Sequence, residues 1–322
     1  MKENRNTTTG GMNILIADDV HELLPNGLTK AGFNVLYLPD AKREDILFEI
    51  ANIHILVIRT KTRVDRELID AGEKLCCIAR AGAGLDNVDE TYAITRNITC
   101  LNAGEANADS VGEHTLGMLL MLMNNLGKAD REVRQKIWQR EANRGFELSG
   151  KTVGIIGFGN TGKAVAQKLR GFDVKVLAYD KYLTHYSNEN ASESTMNRIF
   201  EETDILTLHI PLTEETHELV DENYLNRFKK SIYLLNLSRG KILKTRDLIN
   251  CINSGKVLGA ALDVLENEDL KTLDMDQEND FQFLIASEKV VLAPHIGGWT
   301  VESYRKISKV LLDKLLTFRV GS

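Results

Sequence analysis

The sequence of 322 residues lacks several features that mark particular classes of protein. Its longest apolar run, around residues 116–123, is far shorter than the ~20 residues that a membrane-spanning helix needs. It has no block of five or more like charges, and its 40 basic and 46 acidic residues give a net charge of −6. We therefore expect a protein that binds neither a membrane nor nucleic acid.

Cysteine is scarce as well. The four cysteines show neither C-x-x-C nor zinc-ligand spacing, and the seven histidines include no H-x-x-x-H pair, so we expect no metal site. The first 11 residues are polar, and we expect them to form a disordered leader. They contain no apolar core after their basic residues, which argues against a secretory signal and predicts a cytoplasmic protein.

Short apolar runs alternate with helical stretches, a pattern typical of parallel sheets with crossover helices. Five runs and then six are too many for one small domain, and the chain length also indicates about two domains. We therefore predict an α/β protein with two doubly wound parallel sheets. The predicted strands are 14–19, 34–38, 55–59, 75–80 and 98–102, then 152–157, 175–180, 205–210, 232–237, 258–264 and 290–294.

The remaining segments connect or cover these sheets. Apolar residues at helical spacing predict a long helix over 105–125, followed by a polar segment over 127–144. A last helix over 300–318 cannot form a domain alone, so we expect it to return to the first domain. The acidic segment 269–288 is predicted to be a loop or a short helix.

A G-x-G-x-x-G motif, formed by Gly157, Gly159 and Gly162, lies between a predicted strand and a predicted helix. The acidic residue Asp180 ends the next strand, 18 residues beyond Gly162. In this setting the glycines allow a tight turn, close approach of a pyrophosphate and close helix packing. The helix N-terminus supplies free N–H groups to phosphates. The motif predicts a dinucleotide site, and the alternative is a glycine-rich turn without a ligand.

Asp180 distinguishes between the two nicotinamide cofactors. A carboxylate accepts hydrogen bonds from a ribose diol and repels a 2′-phosphate, which favours NAD over NADP. The neighbouring Lys181 is expected to offset part of that repulsion.

Three further strand ends carry reactive side chains: Arg239, then Asp263 with Glu268, and His295. The carboxyl ends of parallel strands meet at one edge of a sheet, where open α/β sheets bind ligands. We therefore expect a guanidinium, a carboxylate and an imidazole to converge beside the nicotinamide.

Six motifs in order make the chain similar to the D-isomer-specific 2-hydroxyacid dehydrogenase family over residues 12–320. They are Arg80-Ala-Gly-Ala-Gly-Leu-Asp-Asn-Val-Asp89, Ser110-Val-Gly-Glu-His-Thr115, the segment 150–159, His209-Ile-Pro-Leu-Thr213, Asn236-Leu-Ser-Arg239-Gly240 and Pro294-His-Ile-Gly-Gly298. The resemblance implies a Rossmann NAD-binding domain, residues 103–295, inserted into a flavodoxin-like substrate domain, residues 1–102 plus 296–322. The resemblance to the family ends with the last predicted helix, so we expect no C-terminal regulatory domain.

The resemblance also implies the roles of the reactive residues. Arg239 is expected to bind the substrate carboxylate and to polarise its carbonyl, His295 to act as the acid/base, and Glu268 to hydrogen-bond the imidazole. A neighbouring carboxylate favours the imidazolium form, which can donate a proton. The remaining residues expected to contact NAD are Asn160, Thr161, Ile210, Pro211, Leu237, Ser238, Asp263, Gly297 and Gly298, in addition to the glycine loop and Asp180.

In this resemblance the backbone amides of Ala83 and Gly84 hold the substrate carboxylate. Arg59 and Lys61 match cationic residues that face a substrate phosphate, which suits both side-chain types. The alternative for this pair is a solvated strand end. Three features depart from the family pattern. Asp269 replaces a proline after Glu268, Trp299 replaces a small residue, which would narrow the pocket, and the acidic loop between Glu268 and His295 is longer than usual.

The expected substrate pair is 3-phosphoglycerate and 3-phosphohydroxypyruvate, at the first step of serine biosynthesis, because segment 80–89 is most similar to family members that use it. Glycerate dehydrogenation, with hydroxypyruvate or glyoxylate as the keto acid, is the alternative. An NAD-sensing corepressor-like protein is the alternative from another class. The resemblance also implies a homodimer, in which segment 106–150 reaches the partner and Trp138 contributes an apolar contact.

Overall fold

The computed structural model describes residues 11–318, so the expected disordered leader lies outside the described residues apart from Gly11. The chain divides into two units, residues 1–107 with 299–322, and Ala108–Gly298. The boundaries expected from the sequence, at 102/103 and 295/296, lie five and three residues before these divisions. Among the residues that the structure describes, no helix is both long and apolar enough to cross a bilayer.

The strands and helices alternate along most of the chain. The strands are β1 (Asn13–Ile16), β2 (Asn34–Tyr37), β3 (Ile55–Ile58), β4 (Cys77–Arg80), β5 (Thr99–Leu101), β6 (Thr152–Ile156), β7 (Lys175–Tyr179), β8 (Ser192–Glu193), β9 (Ile205–Leu208), β10 (Ile232–Asn236), β11 (Val257–Leu262) and β12 (Val290–Leu292). The α-helices are α1 (Leu23–Lys30), α2 (Arg43–Glu49), α3 (Arg66–Ala71), α4 (Glu90–Thr95), α5 (Ala108–Met123), α6 (Leu126–Arg134), α7 (Asn160–Lys168), α8 (Met196–Glu202), α9 (Glu222–Asn226), α10 (Thr245–Asn253), α11 (Met275–Ala286) and α12 (Val301–Thr317). Single 3₁₀ turns occur at Ile50–Asn52, Glu141–Asn143, Leu169–Phe172 and Gly240–Ile242.

The first unit contains a five-stranded parallel sheet in the order β2-β1-β3-β4-β5. Its central strand β3 consists of four buried aliphatic residues, as expected where helices cover both faces of a parallel sheet. Helix α12 packs on α1 and contributes Ile307, Leu311 and Leu315 to the core of this unit. The last helix therefore returns to the first sheet, as the sequence predicts.

The second unit contains a seven-stranded parallel sheet in the order β12-β11-β10-β9-β6-β7-β8. The strand order reverses at β6 and β9, and this switch point is where doubly wound sheets open a ligand crevice. Helices α5 and α7 pack together over one face, and Val165 of α7 shares a buried core cluster with Phe158.

Three elements of this unit refine the sequence predictions or differ from them. For the segment 269–288, where a loop or a short helix was expected, the structure has a helix of 12 residues, α11, which Asp274 caps through a reciprocal pair of hydrogen bonds with Gln277. The two-residue strand β8 was not predicted, since two residues show no periodicity. The long helix is shorter than expected and begins at Ala108 rather than at residue 105.

Candidate active site

The glycine loop between β6 and α7 requires glycine at two of its three positions for steric reasons. Gly157 has φ of +90°, and a Cβ there would lie 2.3 Å from the carbonyl oxygen of His209. A Cβ on Gly162 would lie 2.1 Å from the carbonyl oxygen of Gly157. Gly159 is different, because it is exposed and its Cβ would enter open space. Steric contacts within the protein therefore do not explain the glycine at Gly159, whereas close approach of a ligand would.

The N-terminus of α7 supplies the donors of this loop. Gly159 is the N-cap residue, and no side chain among the described residues caps the helix. The amides of Asn160, Thr161 and Gly162 therefore lie at a helix N-terminus that is suited to a phosphate group.

Asp180 follows β7 and turns back to the glycine loop. Its carboxylate accepts hydrogen bonds from the backbone amides of Phe158 at 2.8 Å, Tyr182 at 2.9 Å and Leu183 at 3.0 Å. Burial opposes ionisation, but these three amides together with the positive charge of Lys163 outweigh it and keep the pKa of Asp180 below its usual value. The carboxylate is therefore ionised at neutral pH and is fixed beside the loop.

Arg239 lies in a turn after β10 that is organised by a buried amide. The Asn236 side chain donates to the Arg239 carbonyl at 2.9 Å and accepts from the amide and the hydroxyl of Ser238 at 3.1 and 2.9 Å. The guanidinium of Arg239 donates to the Ser238 carbonyl at 2.7 Å. A Cβ on the following Gly240 would overlap the carbonyl of Leu265, so this turn packs directly against the loop that carries Glu268.

Asp263, at the end of β11, anchors the segment after β12. Its buried carboxylate accepts hydrogen bonds from the amides of Ile296 at 2.9 Å and Gly297 at 2.8 Å, and its carbonyl accepts from the amide of His295 at 2.7 Å. Burial raises the pKa of Asp263, but the contacts with His114 and with these amides outweigh it, so the pKa lies below its usual value. The Nε2 atom of His114 lies 3.4 Å from the Asp263 carboxylate.

His295 and Glu268 form the reactive pair that the sequence predicts. The Nδ1 atom of His295 lies 2.9 Å from Oε2 of Glu268. A carboxylate can only accept, so Nδ1 carries the proton and Nε2 is left for a ligand. His295 has φ of +55°, a left-handed backbone conformation. Residues other than glycine rarely adopt it, and it often marks functional sites.

The other predicted cofactor residues lie at the same sheet edge. Ile210 and Pro211 follow β9, while Leu237 and Ser238 follow β10. Gly297 is buried, and its carbonyl accepts a hydrogen bond from the Ser110 hydroxyl at 2.7 Å, whereas Gly298 is partly exposed. Strands β9, β10, β11 and β12 are neighbours in the sheet, which brings these residues together within the second unit.

The predicted substrate residues lie in the first unit. Arg59 follows β3, and its guanidinium stacks on the Trp299 ring at 3.6 Å and lies 5.8 Å from the Tyr304 ring. Burial lowers the pKa of Arg59. Lys61 donates to the Pro39 carbonyl at 2.5 Å and lies 3.7 Å from the buried carboxylate of Asp18.

Ala83 and Gly84 lie in the loop that follows the neighbouring strand β4. The Ala83 carbonyl accepts a hydrogen bond from the Asn102 side chain at 2.8 Å. Arg80 donates to the Arg59 carbonyl at 3.1 Å, which connects the two loops. The four predicted substrate residues therefore share the carboxyl edge of the five-stranded sheet.

Sequence reasoning missed several residues that shape the second unit's site. Asn236 lies inside a motif that was recognised, and a buried amide at a strand end is a signal that could have revealed its role. Tyr186 had no such signal: its hydroxyl accepts from the Asp180 amide and donates to the Ala178 carbonyl, both at 2.9 Å. Within residues 11–318, no three His, Cys, Asp or Glu side chains are grouped so that they could hold a metal ion.

Known proteins resemble this chain over most of its length. A D-3-phosphoglycerate dehydrogenase of Archaeoglobus fulgidus is 31% identical over 96% of this chain, which spans only 58% of that relative. A hydroxypyruvate reductase of Thermotoga maritima is 35% identical over 85% of this chain and 87% of its own length. A glyoxylate reductase of Thermofilum pendens is 32% identical over 87% and 82%.

Solved structures show the same fold. A protein of Thermus thermophilus has a TM-score of 0.80 at 26% identity, covering 95% of this chain and 96% of its own. D-lactate dehydrogenase of Aquifex aeolicus, in a complex with NAD and lactic acid, has a TM-score of 0.80 at 24% identity, covering 94% of both chains.

The sequence model for the D-isomer specific 2-hydroxyacid dehydrogenase NAD-binding domain matches residues 116–297. The chain therefore belongs to the D-isomer-specific 2-hydroxyacid dehydrogenase family, a class of NAD-dependent oxidoreductases. The residues present fit NAD. Gly159 leaves space above the loop, α7 has an uncapped N-terminus, and Asp180 presents an ionised carboxylate beside both.

Proposed function

We propose that this protein transfers hydride between NAD and C2 of a D-2-hydroxy acid, with Arg239, Glu268 and His295 as its catalytic residues. The observation that carries the proposal is the 2.9 Å contact between Glu268 and Nδ1 of His295, since it leaves Nε2 for the substrate. The turn that carries Arg239 packs against the loop of Glu268. The three groups thus belong to neighbouring loops of one sheet edge.

In the reducing direction, Arg239 binds the carboxylate of the 2-keto acid and polarises its carbonyl. The glycine loop, the N-terminus of α7 and Asp180 would hold NADH, which would supply the hydride for the new C–H bond at C2. His295 donates the proton from Nε2 to the carbonyl oxygen, which becomes the hydroxyl. In the oxidising direction the neutral imidazole removes that proton, and Glu268 stabilises the imidazolium that forms.

For the substrate, we propose 3-phosphohydroxypyruvate and 3-phosphoglycerate. Arg59 supports this proposal because it is half-buried and, among the described residues, its guanidinium donates no hydrogen bond to a carboxylate. A partly desolvated cation whose N–H donors have no such acceptor is suited to an anionic group. Lys61 is engaged by Pro39 and Asp18, so we assign it a weaker contribution. Ala83 and Gly84 are proposed to hold the substrate carboxylate through their backbone amides.

A second candidate is the reduction of hydroxypyruvate or glyoxylate. It is favoured by the relatives of similar length, a hydroxypyruvate reductase and a glyoxylate reductase, and by Trp299, which covers one face of the Arg59 guanidinium. The stacked indole reduces the space for a phosphate at this position.

The decisive measurement is NADH oxidation with 3-phosphohydroxypyruvate, hydroxypyruvate and glyoxylate, compared by kcat/KM. We expect a preference of ~100-fold for the phosphorylated acid, or about 2.7 kcal/mol, and a loss of most of it in Arg59→Ala. Arg63→Ala removes an exposed arginine four residues away and serves as the matched control.

Each result has a separate meaning. If kcat/KM is equal for the three acids, or higher for hydroxypyruvate or glyoxylate, the smaller acid is the substrate and the protein is still a dehydrogenase. Negligible turnover with every 2-keto acid, despite NADH binding, would instead indicate an NAD-sensing protein.

We also propose a cytoplasmic homodimer that uses the surface of segment 106–150. Trp138 is 78% exposed, and Leu126, Val133 and Phe146 are each more than half exposed. The exposure of several large apolar side chains in one segment supports this proposal, because such patches often mark surfaces that contact another protein chain.

A further inference from the structure

We propose that Glu215 is a cofactor-selecting residue, because it holds Lys181 and so prevents that lysine from receiving the 2′-phosphate of NADP. The inference goes beyond the role of Asp180 and rests on Asp180 being the ribose-binding carboxylate. The proposal predicts that two acidic groups disfavour NADP. Asp180 faces the ribose, and Glu215 engages Lys181, the cation that follows Asp180 in the sequence.

The contacts that carry the proposal lie after β7 and β9. The ammonium of Lys181 donates to Oε1 of Glu215, and the Tyr182 hydroxyl donates to Oε2 of the same carboxylate at 3.3 Å. Glu215 thus binds two consecutive side chains that follow Asp180. The sequence led us to expect that Lys181 would offset the repulsion of a 2′-phosphate, whereas the structure directs its ammonium to Glu215.

The charges of this cluster, together with the nearby Lys163 that also acts on Asp180, contribute to what a cofactor meets. Asp180 is ionised, and three backbone amides hold its negative charge beside the loop. Glu215 neutralises Lys181, which leaves the cluster of Asp180, Lys181 and Glu215 with a net charge of about −1. Without the carboxylate of Glu215, the net charge would be about zero, and the lysine would be available to a phosphate.

The Lys181–Glu215 pair contributes little to stability, because both side chains are half exposed and solvent screens such pairs. The hydrogen bond to Glu215 nevertheless raises the pKa of Lys181, so the ammonium remains charged at neutral pH. A variant that lacks the carboxylate should therefore fold normally, and its effect on cofactor choice can be measured separately.

The test is the Kd of NADH and of NADPH, measured by cofactor fluorescence without substrate. We expect Glu215→Gln to tighten NADPH binding about fivefold and to leave NADH binding within twofold of the parent protein. The gain should disappear in the double variant Glu215→Gln with Lys181→Ala, and it should shrink at high salt.

Glu214→Gln is the matched control, since it removes the same charge from the adjacent exposed position. An unchanged NADPH affinity in Glu215→Gln, or an equal gain in Glu214→Gln, overturns the proposal. Asp180→Ala tests the underlying assignment separately. If that variant leaves the ratio of the two Kd values unchanged, Asp180 does not bind the ribose, and the cofactor site itself must be reassigned.

Discussion

The two parallel sheets place their polar residues at the same kind of edge but secure them differently. In the unit Ala108–Gly298, Asp180 accepts three backbone amides and Asp263 accepts two, while Asn236 organises the turn of Arg239. In the other unit, the guanidinium of Arg59 lies against aromatic rings, while the hydrogen bonds with Asp18, Arg80 and Asn87 involve its backbone. Hydrogen bonds from backbone amides fix the direction of a carboxylate. Stacking on an aromatic ring keeps the plane of a guanidinium parallel to the ring but allows the guanidinium to rotate within that plane.

This difference matches the demands of the two proposed tasks. Proton and hydride transfer need reacting atoms to be placed closely, and small displacements reduce the rate strongly. Recognition of an anion depends on charge and distance and tolerates more movement. We therefore expect substitutions of the proposed catalytic residues in the second unit to reduce turnover severely, and substitutions in the first unit to change substrate preference by degrees.

The largest effect is expected at His295. His295→Asn should lower kcat by about 10³-fold, or roughly 4 kcal/mol, because the substrate oxygen loses its proton donor. Asparagine tolerates positive φ better than most residues, so the local backbone should be retained. NADH affinity, measured by fluorescence, should be nearly unchanged. His217→Asn removes an exposed imidazole as a control, and near-normal turnover in His295→Asn would remove this residue from the mechanism.

The next largest effect is expected on the pH dependence of stability and comes from His209, whose carbonyl lies against Gly157. Burial lowers the pKa of His209 to about 4, whereas an unfolded histidine has a value of about 6.5. Between these values the unfolded chain binds more protons than the folded chain, so the free energy of unfolding decreases as the pH falls through this window. The full contribution is about 3 kcal/mol.

Urea unfolding at several pH values between 4 and 7 measures this contribution. In His209→Gln the dependence on pH should be weaker than in the parent protein, and His217→Gln should retain the parent's dependence. Equal slopes for all three proteins would show that burial of His209 does not control acid stability.

The smallest effect on stability is expected at Gly159, where a substitution should instead weaken the binding of NADH. Gly159→Ala should leave the Tm within about 1–2 °C, because its Cβ meets nothing within 4 Å, yet weaken NADH binding at least ~10-fold by crowding the pyrophosphate. Gly162→Ala should instead lower the Tm, since its Cβ would overlap the backbone of Gly157. If the two variants show the same changes in Tm and in NADH affinity, the glycine at position 159 is not required for ligand binding.

Several features of the fold and site were predictable because their signals are local. The strands are short apolar runs, and the glycine motif lies directly between β6 and α7, so both could be read without knowledge of distant residues. Arg239, Glu268 and His295 were placed at strand ends, and the rule that parallel strands share an edge brought them together. The family resemblance then supplied their roles.

Other features depend on residues that are far apart in the chain. The pairing of Lys181 with Glu215 spans 34 residues, and the stacking of Arg59 on Trp299 joins the first sheet to the segment before α12. No periodicity links such positions. The sequence left open whether segment 269–288 is a loop or a short helix, because this acidic stretch has little amphipathic pattern, although Asp274 and Gln277 formed a capping signal for helix α11.

The amino-acid sequence by itself determined the two-sheet architecture, the dinucleotide loop and the identities of the reactive groups, since each is encoded within a short stretch of chain. Only the tertiary structure decided which acidic group engages Lys181, that Asp263 carries the backbone of the His295 segment, and that Arg59 donates to no carboxylate among the described residues. The physical reason is that hydrogen bonds and ion pairs depend on distances of a few ångströms between side chains, and those distances exist only once the sheets have formed.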